Sequence, residues 1–143
     1  MIGGSAGIGL ETARRARAEG ADVVLTGRNP DQLRQAAAEL GVPRTAAFDA
    51  TDPAAVRGFF RGLPAPIDHV MVTGPGPRFV DTPLSASLLG DELEQRRTEL
   101  RAKLPIGRVV GPADVAALAV HIMTNTALTG ATYDIDGGQQ FIS

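Results

Sequence analysis

The sequence predicts an α/β protein: a doubly wound parallel sheet covered by helices on both faces, in a single domain over residues 1–143. Three observations predict it. A glycine-rich turn, Gly3 to Gly9, stands directly before an alanine-rich helical pattern. Short apolar runs then alternate with amphipathic helical patterns through the first half of the chain. The composition, 43% hydrophobic and 21% charged over 143 residues, is that of a globule with a real core.

A first helix is expected from about Ile8 to Glu19, stopped by Gly20, with Arg14, Arg15 and Arg17 on a solvated face. Ala21 to Thr26 is a short apolar run, β-branched at its centre, and suits a buried parallel strand. Asn29 can cap a second helix whose first position is Pro30; Leu33, Ala36, Ala37 and Leu40 share one face and Gly41 ends it. Arg44 to Phe48 is a weaker strand. Asp52-Pro53 opens a third helix with Val56, Phe59, Phe60 and Leu63 at helical spacing, and Leu63 to Ile67 is a connector. His69 to Thr73 reads as the next buried strand. After Gly74-Pro-Gly-Pro77, a charged helix is expected over Asp91 to Leu104. An amphipathic helix over Pro112 to Met123 aligns Val115, Leu118, Ala119 and Ile122. Ala131 to Ile135 reads as a last strand closed by Gly137-Gly138, with Tyr133 as a packing residue.

Composition excludes several classes. A net charge of −2 offers no electrostatic footprint for nucleic acid or an anionic membrane, and 4% aromatics without Trp make no base-stacking platform. With no cysteine there is neither a disulfide nor a thiolate metal site. No apolar run approaches the roughly 18 residues of a membrane span and no signal peptide precedes the glycine turn, so a cytoplasmic protein is expected.

The chemistry begins at the glycine turn. Gly3, Gly7 and Gly9 let the backbone take positive φ and approach a pyrophosphate without an intervening Cβ. The first-turn N–H groups of the following helix then face the anion. A glycine-rich heptad also serves an ordinary tight turn, so its meaning depends on the residues downstream. About 20 residues on, where an acidic residue would bond the ribose 2′-hydroxyl of NAD, the chain has Gly27-Arg28-Asn29. Arginine pairs with a 2′-phosphate, which favours NADP(H) over NAD(H); a solvated turn is the alternative role for Arg28.

At these residues the chain resembles the short-chain dehydrogenases/reductases. Gly3-Gly-Ser-Ala-Gly-Ile-Gly9 is similar to the family's Thr-Gly-x-x-x-Gly-x-Gly motif, with Ile2 where threonine is usual. Thr26-Gly-Arg-Asn29 resembles the strand end of NADP-preferring members, and Asp49-Ala50 the Asp-Val pair that contacts adenine. Val72-Thr-Gly74 lies where the family has Asn-Asn-Ala-Gly, without either asparagine. Pro77-Arg-Phe-Val-Asp-Thr82 resembles Pro-Gly-x-Val-x-Thr, with Arg78 replacing the glycine. Thr129-Gly130 and Asp136-Gly-Gly138 resemble the family's terminal strand. The resemblance implies a Rossmann-like fold and an NAD(P)(H) site made by Gly3, Ser5, Gly7, Ile8, Gly9, Arg28, Asn29, Asp49, Ala50, Thr73, Gly74, Val80 and Thr82.

The resemblance also implies a shortened chain. In the family, Pro-Gly-x-Val-x-Thr comes two strands after Asn-Asn-Ala-Gly, whereas here the two are almost contiguous across Thr73-Gly-Pro-Gly-Pro77. The intervening stretch is where the family keeps its catalytic asparagine, serine and Tyr-x-x-x-Lys. The one tyrosine is Tyr133, followed four residues later by Gly137, and the one lysine is Lys103. Carbonyl reduction needs a proton donor whose phenol pKa a nearby cation lowers. No catalytic residue is therefore assigned. Met1-Ile2 is also a short first strand, so a sheet of reduced strand number is expected.

Other sites are weaker. His69 and His121 have no second ligand at metal spacing and read as structural. Asp134 and Asp136 would share one face of a strand, and no carboxylate dyad is assigned there. The resemblance places residues 84–104 as a lid, and Leu84, Leu88, Leu89 and Leu93 fit either an apolar substrate pocket or core packing. Two readings result: a carbonyl or alcohol oxidoreductase, catalytically impaired in this form, or a non-catalytic NADP(H)-binding or subunit-interaction module. The implied partners are a small apolar carbonyl or alcohol and, through residues 131–143, a second copy of the chain.

Overall fold

The computed structural model describes residues 1–63, 66–74 and 78–142. Eight segments form its regular core: α1 (Gly7–Ala18), β1 (Val24–Gly27), α2 (Pro30–Leu40), β2 (Arg44–Ala47), α3 (Pro53–Arg61), α4 (Pro83–Leu89), α5 (Leu93–Lys103) and α6 (Pro112–Thr124). Single 3₁₀ turns occupy Gly90–Glu92 and Gln139–Phe141. Helices α1, α2, α3, α5 and α6 lie within a residue or two of their expected bounds because their ends are written locally, whereas α4 falls in the lid stretch, where no separate helix is expected from the sequence. Asn29 Oδ1 accepts the N–H groups of Asp31 at 2.9 Å and Gln32 at 3.2 Å, and Gly41 closes α2 with φ +60°. Asp52 Oδ1 accepts Ala54 N–H at 2.8 Å to start α3.

β1 and β2 pair in parallel, Val24 opposite Arg44 through Gly27 opposite Ala47. On the other side of β1 the ladder thins to single parallel bridges, Ile2 with Thr26 and Ile2 with Val72. Thr26 N–H donates to Met1 O at 2.9 Å, Ile2 N–H to Met71 O at 2.8 Å, and Thr73 N–H to Ile2 O at 3.0 Å. The spatial order is thus β2, β1, Ile2, Val72, all parallel.

The sheet is smaller than the sequence predicts, in two places. The strand expected at 69–73 is one bridge at Val72, because among the described residues it finds a ladder partner only at Ile2. Nor is this segment buried: Val70 and Val72 are 54% and 66% exposed. The strand expected at 131–135 is absent, and Ala131 to Asp134 are exposed. A strand exists only through ladder bonds to a neighbour, and among the described residues none lies beside it. Tyr133 accordingly stands exposed rather than packed. The connector residues 64–65 and the break at 75–77, which includes Pro77 of the expected nicotinamide motif, lie outside the described residues.

The main core lies on one face of the sheet. Leu25 points into it with Ala13 of α1, Leu33 and Ala36 of α2, and Val42. α6 packs along α1, and Ala116 is its one fully buried residue; Ile122, expected on the inner stripe, is exposed. α3 takes the opposite face, where Phe59 meets Phe48 with ring centroids 5.2 Å apart. It covers that face only loosely. An open groove of about 850 Å³ runs between Val24, Arg44, Ala46 and Phe48 of the sheet and Ala55, Gly58, Phe59 and Leu63 of α3. Leu100, Leu104 and Val110, at and beyond the end of α5, are also buried.

Candidate dinucleotide site

The glycine turn lies at the carboxyl ends of the parallel strands, where open α/β sheets bind their ligands. Gly3 N–H and Gly4 N–H both donate to Thr26 O, at 3.1 and 2.9 Å, so the turn is stitched to the end of β1. Gly3 has φ +81°, and a Cβ there would overlap Thr73 Oγ1 and lie 3.0 Å from Thr73 O. Gly9 is buried, and a Cβ there would overlap Gly3 O. The turn is therefore closed on itself: close approach requires glycine at both Gly3 and Gly9, and at Gly3 the positive φ requires it as well.

The helix after the turn has no side-chain cap. Ala6 stands at the N-cap of α1 with extended backbone, whereas α2, α3 and α4 are capped by Asn29, Asp52 and Thr82. First-turn N–H groups of Gly7, Ile8 and Gly9 are the donors such a site offers a phosphate.

Other expected residues converge on the same edge. A Cβ on Gly27 would lie 3.0 Å from Ser5 Oγ, which places Ser5 against the end of β1. Phe48 N–H donates to Gly27 O at 3.1 Å and joins the ends of β1 and β2. Arg28 is exposed beyond β1, within electrostatic reach of Asp49 beyond β2. Asp49 Oδ1 accepts Thr51 N–H at 2.9 Å and Thr51 Oγ1–H at 2.8 Å. These bonds hold the Asp49 carboxyl below the usual range, slight burial opposes them, and the Arg28 charge assists. Thr73 Oγ1–H bonds Gly3 O at 3.1 Å. Thr82 lies across from Gly7, its Cβ 3.6 Å from where a Cβ on Gly7 would stand.

Some expected residues contribute less. Asn29 Oδ1 is occupied by its cap and Thr82 Oγ1 by Ser85 N–H at 3.2 Å, so both side chains carry structural work. Ala50 and Gly74 are exposed at the rim, Val80 is half-buried behind Thr82, and Ile8 is half-buried in the first turn of α1. Among the described residues no group of three or more His, Asp or Glu could hold a metal, and no helix is long and apolar enough to cross a membrane.

One constellation went unforeseen. Asp136 is 4% exposed, and its Oδ2 lies 2.8 Å from Arg78 Nη1. Its Oδ1 accepts Gly138 N–H at 2.9 Å and its Oδ2 accepts Gln140 N–H at 3.0 Å. Burial pushes this carboxyl up, but the N–H groups of Gly138 and Gln140, the Arg78 charge and Gln139 N–H outweigh it, and the net shift is downward. Asp134, expected to share its face, is exposed. The signal in the sequence was Arg78 itself, a charge standing where glycine is usual.

A parallel sheet with a closed glycine turn at its carboxyl edge defines a nucleotide-binding α/β fold of the Rossmann type. The chain belongs to the short-chain dehydrogenase family, whose model (short chain dehydrogenase) matches residues 1–72. Members of this oxidoreductase family generally bind NAD(P)(H). The short-chain dehydrogenase/reductase malC of Malbranchea aurantiaca is 34% identical over 83 residues, 58% of this chain and 31% of that protein. The inactive 2-(S)-hydroxypropyl-CoM dehydrogenase 2 of Xanthobacter autotrophicus is 34% identical over 113 residues, 72% of this chain and 47% of that one. The match thus spans less than half the length of either curated relative. Among solved structures, the MalC reductase/Diels-Alderase of Malbranchea aurantiaca superposes with a TM-score of 0.71 at 19% identity, covering 90% of each chain. A short chain dehydrogenase/reductase family protein superposes with a TM-score of 0.75 at 23% identity, covering 99% of this chain and 96% of the other. Both share the fold.

Proposed function

We propose that this chain binds NADP(H) in preference to NAD(H), and that in its present form it holds the cofactor without reducing carbonyls at a useful rate. The observation that carries the reading is the convergence of three separated stretches, with Gly3 against Thr73 and Gly7 against Thr82 at one sheet edge. The residues fit a dinucleotide: a turn in which glycines at Gly3 and Gly9 are obligatory, an uncapped helix start, and Arg28 beyond β1. The amides of the turn and of α1 would hold the pyrophosphate, Arg28 the 2′-phosphate, and Val80 and Thr82 the nicotinamide side.

The cofactor, when bound, supplies or accepts a hydride. The chain's own residues would have to supply the proton, and the sequence has no tyrosine with a lysine four residues on. A relative at 34% identity is itself named inactive, which accords with this reading. Leu84 and Leu88, 50% and 74% exposed on α4, give the lid region an apolar face suited to a small apolar carbonyl or alcohol.

Two measurements test the proposal. Calorimetry with NADPH and NADH reports binding, and its absence at millimolar nucleotide leaves the glycines as structural. NADPH oxidation over a panel of ketones and quinones reports turnover. Robust turnover that survives Tyr133→Phe and Lys103→Ala would reveal another acid and overturn the impaired reading.

A further inference from the structure

The segment that carries Val80 and Thr82 is fastened at several points, and the first of them is Arg78. Its guanidinium reaches 2.8 Å from Asp136, a carboxylate almost wholly buried and already bonded to two backbone N–H groups. Asp136 is itself a fixed post. The Gly137-Gly138 turn beside it is wedged so closely against Pro105 and Ile106 that a Cβ would come within 2.8 Å of either neighbour. One residue on, Phe79 N–H donates to Gln139 Oε1 at 3.1 Å, a second tie to the same turn. Asp81 N–H then donates to Val110 O at 2.8 Å, and the Asp81 carboxylate meets Arg97 Nη2 at 2.6 Å. Ser85 Oγ–H closes on Val80 O at 2.6 Å. Thr82, at the far end of this strap, faces Gly7 of the glycine turn.

We infer that Arg78 is a positioning residue for the nicotinamide half of the cofactor site. Its ion pair with Asp136 sets where Val80, Asp81 and Thr82 stand relative to the glycine turn. Glycine at this position would leave Asp136 facing the segment with no charge to bind. The strap would then keep the Phe79 and Asp81 backbone bonds, the Asp81–Arg97 ion pair and the Ser85 bond to Val80 O, but would lose the charged tie at its start, and Thr82 would be set less firmly against Gly7. An ion pair to a buried, hydrogen-bonded carboxylate holds geometry better than one between two solvated partners. The inference rests on the dinucleotide reading above, and its tests are chosen to separate the two.

Amide hydrogen exchange on the full chain, without nucleotide, addresses the strap directly. Arg78→Met is expected to speed exchange of the Phe79 and Asp81 amides about tenfold, with amides of α1 and β1 unchanged. Arg78→Lys, which keeps the charge, should restore most of the protection. Unchanged exchange in Arg78→Met, or an equal rise throughout the chain, would overturn the positioning role whatever the protein binds.

Titration with NADPH and with 2′-phospho-ADP-ribose, which lacks nicotinamide, addresses the site. Arg78→Met should weaken NADPH about tenfold, roughly 1.4 kcal/mol, and leave 2′-phospho-ADP-ribose within about twofold. Equal weakening of both ligands, or of neither, would overturn the inference. Failure of the unmodified chain to bind either ligand would overturn the dinucleotide reading instead, and with it the nicotinamide half of this inference.

Discussion

Gly3 and Thr73 stand 70 residues apart in sequence, yet Thr73 Oγ1–H bonds Gly3 O at 3.1 Å and occupies the space a Gly3 side chain would need. This contact couples the glycine turn to the outermost segment of the sheet. It makes the turn a tertiary feature, since its shape depends on a residue from the far side of α1, β1, α2, β2 and α3.

The closed turn predicts a graded response to glycine substitution. Gly9→Ala would drive a methyl group into Gly3 O, backbone that cannot swing aside, and should cost about 2–3 kcal/mol. Gly58→Ala is the contrasting change. Nothing lies within 4 Å of a Cβ there, and Gly58 sits inside α3, so alanine should stabilise the chain by about 0.5–1 kcal/mol. Urea unfolding of both variants checks the pair; similar midpoints would show that the turn is not closed as described.

The proposed cofactor preference rests on one side chain. Arg28→Ala should weaken NADPH by about tenfold or more while changing NADH by less than about twofold, because only the former carries a 2′-phosphate for the guanidinium to meet. Isothermal titration with both nucleotides decides it, and equal losses would return Arg28 to the role of a solvated turn residue.

The start of α6 titrates in acid. Arg108 approaches both oxygens of Asp114 at 2.7 Å, and Asp114 Oδ2 accepts Gly111 N–H at 3.0 Å. Together they draw the Asp114 carboxyl down from 3.8 to about 2, with burial opposing. A depressed folded value means the stabilisation is present above pH 3.8 and is lost as pH falls through about 2. Asp114→Asn should therefore be less stable than the native chain at pH 7, and the gap should close in that acid window. The pair is partly solvated, so added salt should narrow the gap at pH 7. Unfolding curves at several pH values and two salt concentrations give the comparison.

The edge at Val72 predicts association behaviour. Val72 pairs with Ile2 on one side, has no ladder partner on the other among the described residues, and is 66% exposed. Edges of this kind invite pairing with another chain, and lysine is a common way of blocking it. Val72→Lys should lower concentration-dependent light scattering and leave the thermal midpoint nearly unchanged. Equal scattering by both proteins would locate any self-association elsewhere.

The local elements were legible because their determinants are local. Asn29 and Pro30 start α2, Gly41 ends it, Asp52 and Pro53 start α3, and each works through bonds within a few residues. The glycine turn, Arg28 and Asp49 were legible as a spaced motif, and the fold holds them at one edge as expected. The strand at 131–135 was not decided by its own residues. Alternating apolar residues such as Tyr133 and Ile135 permit a strand, but only a neighbour with free backbone groups makes one, and none lies there among the described residues.

By itself, then, the sequence determined most of the helices, the caps at Asn29 and Asp52, and the glycine turn that opens α1. Each of these comes from backbone preference, short-range hydrogen bonds or side-chain charge. Only the tertiary structure decided how far the sheet extends, that Thr73 closes on Gly3, and that Arg78 finds Asp136. Those outcomes depend on which distant groups are brought within hydrogen-bonding reach and shielded from water, and spacing along the chain does not encode that.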